Sequence, residues 1–328
     1  MKKITCVGYH GTGSGVIDDL FREFDNVTQG YYEAECRILH DADGISDLEY
    51  HLIDNPHRLK TSVAINRFIS YAKENKRMCE KIFGEAWLPL CYEFVDSIVD
   101  FKYKGYLNKS LFTEKPHLKY VLFLYKIINK IRPLKYRHIP CYNYFPDATT
   151  YHAAPDRNVF LNSVNRFVDK LCDAMPHSDT TEYYMIDQLL PVDNILHYLR
   201  YVPDLKVIVV DRDPRDLYIN HHSHNDHVLP KDPYQFCKYY RDIRRNKSDE
   251  DVQNALYVTF EDMIYKYDEM VKTITNYVGI SIKHHVKPQT HFIPEISIKG
   301  TQLWKTTSKY SQAIRIIEKE LPEFLHIY

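Results

Sequence analysis

Ile4-Thr5-Cys6-Val7-Gly8-Tyr9-His10-Gly11-Thr12-Gly13-Ser14-Gly15-Val16-Ile17 is the stretch that decides the fold. Ile4 to Val7 read as a buried strand, Gly8 to Gly15 as a glycine-rich turn, and the residues after it as a helix. At helical spacing Val16, Ile17, Leu20, Phe21 and Phe24 face inward, which turns Asp18, Asp19, Arg22 and Glu23 to water. A strand, clustered glycines and a helix start make an anion site. Glycines let backbone N–H groups crowd together, and the first helical turn leaves its own N–H groups unpaired. Thr12 and Ser14 add hydroxyl donors. Four of the ten glycines lie in this one loop, so the clustering carries information.

The loop is not that of a nucleoside triphosphatase, G-x-x-x-x-G-K-[ST]. Gly8 and Gly13 have the spacing, but Ser14 and Gly15 stand where the lysine and the metal-binding hydroxyl belong. Nor does G-x-G-x-x-G follow the strand, as a dinucleotide fold requires. The phosphate's charge must be met partly from elsewhere in the chain.

The second decisive stretch is Leu205-Lys206-Val207-Ile208-Val209-Val210-Asp211-Arg212-Asp213-Pro214-Arg215-Asp216. Its apolar run is a central parallel strand buried on both faces. Asp213 caps the next helix and Pro214 takes its first position. Arg212 therefore sits at the strand's carboxyl end, beside Gly11 to Gly15, where a guanidinium forks onto phosphate. Glu182 to Gln188 reads as another strand, which puts Asp187 and Gln188 at the same sheet edge, where ligands bind in open parallel sheets. Tyr31 to Leu39 reads as a further strand with Glu33, Glu35 and Arg37 on one face. Helices are expected at Ile45 to Asp54 and Thr61 to Phe83, and a third β-rich run at Ala255 to Phe260.

Residues 84–180 read as a largely helical insertion in a single domain. Between Phe101 and Phe145 ten Lys and Arg stand against one Glu, 10 − 1 = +9, with aromatics interleaved. The helix there, Leu118 to Ile131, is expected to bury Val121, Leu122, Leu124, Tyr125 and Ile128. An unmixed sign in a chain of 328 residues and net charge −1 points to an anionic partner. The overall charge excludes a globally basic nucleic-acid binder. Seven scattered cysteines without C-x-x-C spacing suit reduced thiols and a cytoplasmic location. A strand starting near Met1 is expected to leave no room for a signal peptide, and no apolar run of about 18 residues predicts a membrane span. His221 to His227 holds four histidines whose spacing fits no fixed metal site, and no metal is expected.

The order of these pieces resembles the sulfotransferase family that uses 3′-phosphoadenosine 5′-phosphosulfate. The first loop resembles its 5′-phosphosulfate loop, and Val209 to Asp216 its 3′-phosphate motif, with Asn220 where a serine commonly stands eight residues after the arginine. Phe260-Glu261-Asp262 is similar to its Y-E-D, and Lys299-Gly300 with Trp304 to its R-K-G-x-x-G-x-W loop. Ile298 replaces the arginine of that loop, and His10 is the only basic group of the first one. The resemblance implies a P-loop-like three-layer α/β sandwich, a central parallel sheet flanked by helices. It also implies Gly11, Thr12, Gly13, Ser14, Gly15 and Val16, with Arg212, Asn220, Lys299 and Gly300, as contacts to the donor nucleotide and to its product adenosine 3′,5′-bisphosphate. Glu35-Cys36-Arg37-Ile38-Leu39-His40-Asp41-Ala42-Asp43-Gly44 is most similar to bacterial enzymes of surface-glycan sulfation. That likeness implies a carboxylate base, Glu35 or Glu33, with His10 at the catalytic loop and Arg37, Asp187 and Gln188 on the acceptor side. The implied acceptor is a carbohydrate, with peripheral membrane contact at most. Two alternatives stay open: a phosphoryl-transfer enzyme with an altered loop, and a non-enzymatic anion-binding protein.

Overall fold

A computed structural model describes residues 2–31, 34–105, 118–131, 149–224, 228–245 and 249–328. The described strands are β1 (Lys2–Gly8), β2 (Val27–Gln29), β3 (Phe101–Lys104), β4 (Thr149–His152), β5 (Tyr183–Met185), β6 (Leu205–Asp211) and β7 (Ala255–Thr259). Five form one sheet in the order β2-β5-β1-β6-β7, and every pairing in it is parallel. The protein is thus an α/β fold with a central parallel sheet flanked by helices, as the first loop and the Leu205 run implied.

The chain divides into two compact units. The first comprises Met1–Leu39, Met78–Gly84 and Leu171–Tyr328 and contains the sheet. One face of the sheet, through Ile4, Cys6, Met185, Ile208 and Val210, packs on Val16, Ile17, Leu20 and Phe21 of the helix Gly15–Phe21 and on Val271, Ile274 and Val278 of the helix Tyr267–Val278. A second apolar cluster joins the helices Pro214–Ser223, Pro233–Asp242 and Ser311–Glu320 through Leu217, Phe236, Tyr240, Ile314 and Ile317. Because the strands run parallel, the loops after β1, β5, β6 and β7 all leave at one edge, which is where the site residues collect.

The second unit comprises His40–Arg77 and Glu85–Lys170. Its helices Arg58–Glu74 and Trp87–Ile98 pack around Phe94, whose ring meets Phe68, Phe160 and Phe167 at 5.5, 6.1 and 5.1 Å between centroids. Buried Trp87 donates its indole N–H to Ala72 O at 2.8 Å. β3 and β4 form an antiparallel pair.

Four expectations are corrected. Of the strand expected at Tyr31 to Leu39, the described residues 34–39 form none. The edge of β5 is already taken by β2, so residues 34–39 pass beyond it and are tied by one backbone bond, Cys36 N–H to Asp187 O at 3.0 Å. Glu23 and Asp18 do not face water. Glu23 is fully buried, accepting from His291 N, Phe292 N and Tyr267 Oη and paired with His285 Nε2 at 2.6 Å, because the segment 284–292 folds over that side of the helix. Asp18 is buried under Arg22, which forks onto it at 3.1 and 2.9 Å. The helix expected at Thr61 to Phe83 is two, Arg58–Glu74 and Lys76–Phe83. In the helix Leu118–Ile131, Leu124 and Ile128 are exposed rather than core, and the side chains of Val121, Leu122 and Tyr125 lie outside the described ones.

Candidate functional site

The first loop is shaped by glycine and held by a threonine. Gly11 and Gly13 have φ of 71° and 90°, the left-handed region that L side chains rarely adopt. A Cβ on Gly13 would stand 2.6 Å from Phe260 Cδ2, and one on Gly11 would stand 2.0 Å from His221 Nε2. Thr12 is buried and accepts from Tyr9 N–H at 3.1 Å while donating to Val210 O at 2.7 Å. Its hydroxyl therefore pins the loop to β6 and is not a ligand donor, which corrects that expectation. Ser14 Oγ accepts from Gln188 Nε2 at 3.0 Å and keeps its own proton to give. Val16 N–H closes the first helical turn onto Gly13 O at 3.2 Å. Gly15 is exposed with open space where a side chain would go. His10 is exposed, holds φ 57°, and its ring lies 5.8 Å from that of buried His221.

Arg212 follows β6 directly and is almost wholly buried. Nη1 donates to Gly11 O at 3.5 Å, Nη2 to Gly300 O at 2.6 Å, and the guanidinium carbon stands 4.6 Å from the Phe260 ring centroid. Its buried Nε has no hydrogen-bond partner among the described residues. Burial lowers its pKa, and the carboxyls of Glu261 and Asp216 work against that shift. The remainder of the R-D-P-R-D run is framework. Asp213 caps the helix through Arg215 N–H at 2.8 Å, pairs with the Arg215 side chain and accepts from His326 N. Asp216 accepts from Gln302 N at 2.8 Å and Leu303 N at 2.7 Å, which fixes the segment carrying Gly300. Asp211 is held by the Arg244 fork.

Glu261 is buried, and burial pushes its carboxyl up to about 7 although Asp213 N–H donates to Oε1 at 3.0 Å. Lys299 is exposed in the turn Ile298–Gly300. Asn220 is half-buried on the helix after Arg212, and its backbone carbonyl is paired with His224 Nδ1 at 2.8 Å.

On the β5 side, Cys6 Sγ donates to Asp187 Oδ1 at 3.0 Å. Burial raises the Asp187 carboxyl to about 7; the thiol contact opposes this, and the charges of Asp18 and Glu35 add to it. Glu35 is half-buried and Arg37 exposed on the irregular segment beside Asp187, so the shared strand face is not formed. Glu33 lies outside the described residues, as does His227 of the histidine run. Among the described residues no group of three or more His, Cys, Asp or Glu is placed to hold a metal ion.

The fold thus unites Gly13, Arg212 and Gly300 around the Phe260 ring, with Gly11 reached by Arg212 and set against His221, and joins Ser14 to Gln188, next to Asp187 in the chain. Phe260 and His221 were not singled out as site residues. The glycines opposite them were the available signal, because each exists where a ring leaves no space.

No family model and no curated protein matches the chain. Three solved structures similar to it carry sulfotransferase or dehydratase names. The sulfotransferase domain of the Synechococcus PCC 7002 olefin synthase is 10% identical, with 97% of this chain and 93% of that one covered and a TM-score of 0.38. The sulfotransferase domain of the curacin biosynthetic pathway is 10% identical, with 97% and 96% covered and a TM-score of 0.39. Retinol dehydratase, in complex with androsterone and the inactive cofactor PAP, is 12% identical, with 99% and 82% covered and a TM-score of 0.31.

Proposed function

We propose that this protein is a sulfotransferase that moves a sulfuryl group from 3′-phosphoadenosine 5′-phosphosulfate to a hydroxyl of a carbohydrate. The observation that carries the reading is Arg212. A buried guanidinium reaches both anion loops, Gly11 and Gly300, and keeps a buried N–H without a partner among the described residues. A buried donor left unpaired costs roughly 1–3 kcal/mol, which an anionic ligand would offset.

The residues present fit such a donor. N–H groups of Gly13 to Gly15 and the Ser14 hydroxyl would face its 5′ end, and Arg212, with Asn220 and Lys299, its 3′-phosphate. When bound, the donor supplies an activated sulfuryl group on a phosphate leaving group. The chain's part is positioning and electrostatics: preorganised N–H donors stabilise charge as it develops. His10, beside His221, supplies imidazole where the loop has no lysine. Glu35 takes the acceptor proton as general base. Arg37 and Gln188 line the acceptor side. The buried thiols Cys6, Cys36, Cys79, Cys91, Cys172 and Cys237, none in a disulfide, suit a reducing compartment, and we assign the cytoplasm.

A thermal-shift experiment tests the reading. Adenosine 3′,5′-bisphosphate should raise the melting temperature more than 5′-AMP does, since a ligand that binds only the folded state stabilises it by mass action. Arg212→Ala should cost the bisphosphate roughly 1.5–3 kcal/mol of binding, as for a hydrogen bond to a charged group. Equal shifts from both nucleotides would remove the 3′-phosphate assignment.

A further inference from the structure

The helix Leu118–Ile131 belongs to none of the site described above. Tyr120, Phe123, Leu124, Ile127, Ile128 and Ile131 are 76, 63, 57, 41, 47 and 79% exposed. Their spacing, i, i+3, i+4, i+7, i+8 and i+11, places all six on one face over three turns. Scattered surface apolar residues are ordinary, but a contiguous stripe of this kind marks an interaction surface. Lys126 and Lys130, four residues apart and both exposed, form a row along the stripe's flank, and the helix contains no Asp or Glu.

We propose that this helix lies along an anionic lipid surface, with its stripe in the acyl boundary and its lysines at the headgroups. Length excludes spanning: 14 residues at about 1.5 Å each make roughly 21 Å, short of a hydrocarbon core of about 30 Å. No helix among the described residues is long and apolar enough to cross a membrane. An aromatic and aliphatic face flanked by lysines that can snorkel fits the interface instead. Charge selects the occupant. The segment from Phe101 to Phe145 carries +9, and the chain as a whole −1, so the rest carries −1 − 9 = −10. A second copy docked stripe to stripe would set the exposed Lys126 and Lys130 of one chain against those of the other. Anionic headgroups are instead complementary, each lysine near such a surface contributing about fivefold in affinity. Nucleic acid would meet the lysines but leave the stripe in water.

Co-sedimentation of the full chain with vesicles of phosphatidylcholine, with and without phosphatidylserine, tests this. The protein should pellet with the mixed vesicles and be released by salt. Lys126→Gln with Lys130→Gln should weaken binding by about ten- to thirtyfold. Phe123→Ser with Ile127→Ser should abolish it while the melting temperature stays unchanged, since both residues are exposed. Phe123→Trp adds a reporter whose emission should shift to the blue on vesicle addition. Equal binding to both vesicle types, or none to either, overturns the proposal. So does a dimer in light scattering that the Phe123/Ile127 variant dissociates, because the stripe then belongs to a second copy. The inference stands independently of sulfuryl transfer: vesicle binding is read without any nucleotide.

Discussion

Arg212 and Phe260 stack, with the guanidinium carbon 4.6 Å from the ring centroid. The other side of that contact is Gly13, whose missing Cβ leaves room for the ring. One phenyl ring therefore sets the spacing between the first loop and the arginine of the second. Gly13→Ala should destabilise the fold by about 1–3 kcal/mol, through φ 90° and the clash together, and should weaken bisphosphate binding. Adding Phe260→Leu should recover part of the loss, read by thermal melts with and without the nucleotide.

Asp187 should make stability depend on pH. Its carboxyl titrates at about 7 in the fold against 3.8 as the ordinary value, so between these the folded chain holds a proton that the unfolded chain has released. Stability is then fully present below the unfolded value and falls as pH rises towards 7, with a slope of up to about 1.4 kcal/mol per unit for this group. Glu261 acts in the same direction. Asp187→Asn should flatten the slope and raise the melting temperature above pH 7. An unchanged slope would place the buried proton elsewhere.

The base is tested by paired substitutions assayed for sulfate transfer to a panel of saccharides. Glu35→Gln should lose about 10²–10⁴ in kcat with the bisphosphate shift intact. Asp187→Asn should keep more activity and move the acidic limb of the pH–rate profile. The reverse pattern hands the base to Asp187, and full activity in both variants excludes the pair.

Asp216 is an anchor rather than a ligand. Buried, it accepts two backbone N–H groups and the Tyr328 hydroxyl, the last at 2.8 Å. Asp216→Asn turns one acceptor into a donor facing donors and should cost about 1–3 kcal/mol. Hydrogen exchange at Gln302 and Leu303 should accelerate, and bisphosphate affinity should fall because Gly300 loses its hold.

What the sequence determined by itself is local. Ile4 to Gly15 wrote a strand and loop because glycines and apolar runs act on their own neighbours. Leu205 to Asp216 wrote a buried strand, an Asp cap and a Pro start, each a rule spanning a few residues, and the cap forms as read. Glu23, Thr12 and residues 34–39 were misread because their state depends on partners far along the chain. Thr12 binds Val210, Glu23 binds residues 285–292, and β2 claims the edge of β5 before residues 34–39 reach it. Burial is a sum over every element packed on a residue, and helical period sees one element only. The same holds for Asp187: its proton near pH 7 comes from burial, with the charges of Asp18 and Glu35 adding to it against the Cys6 thiol contact, and only the tertiary structure brings these together.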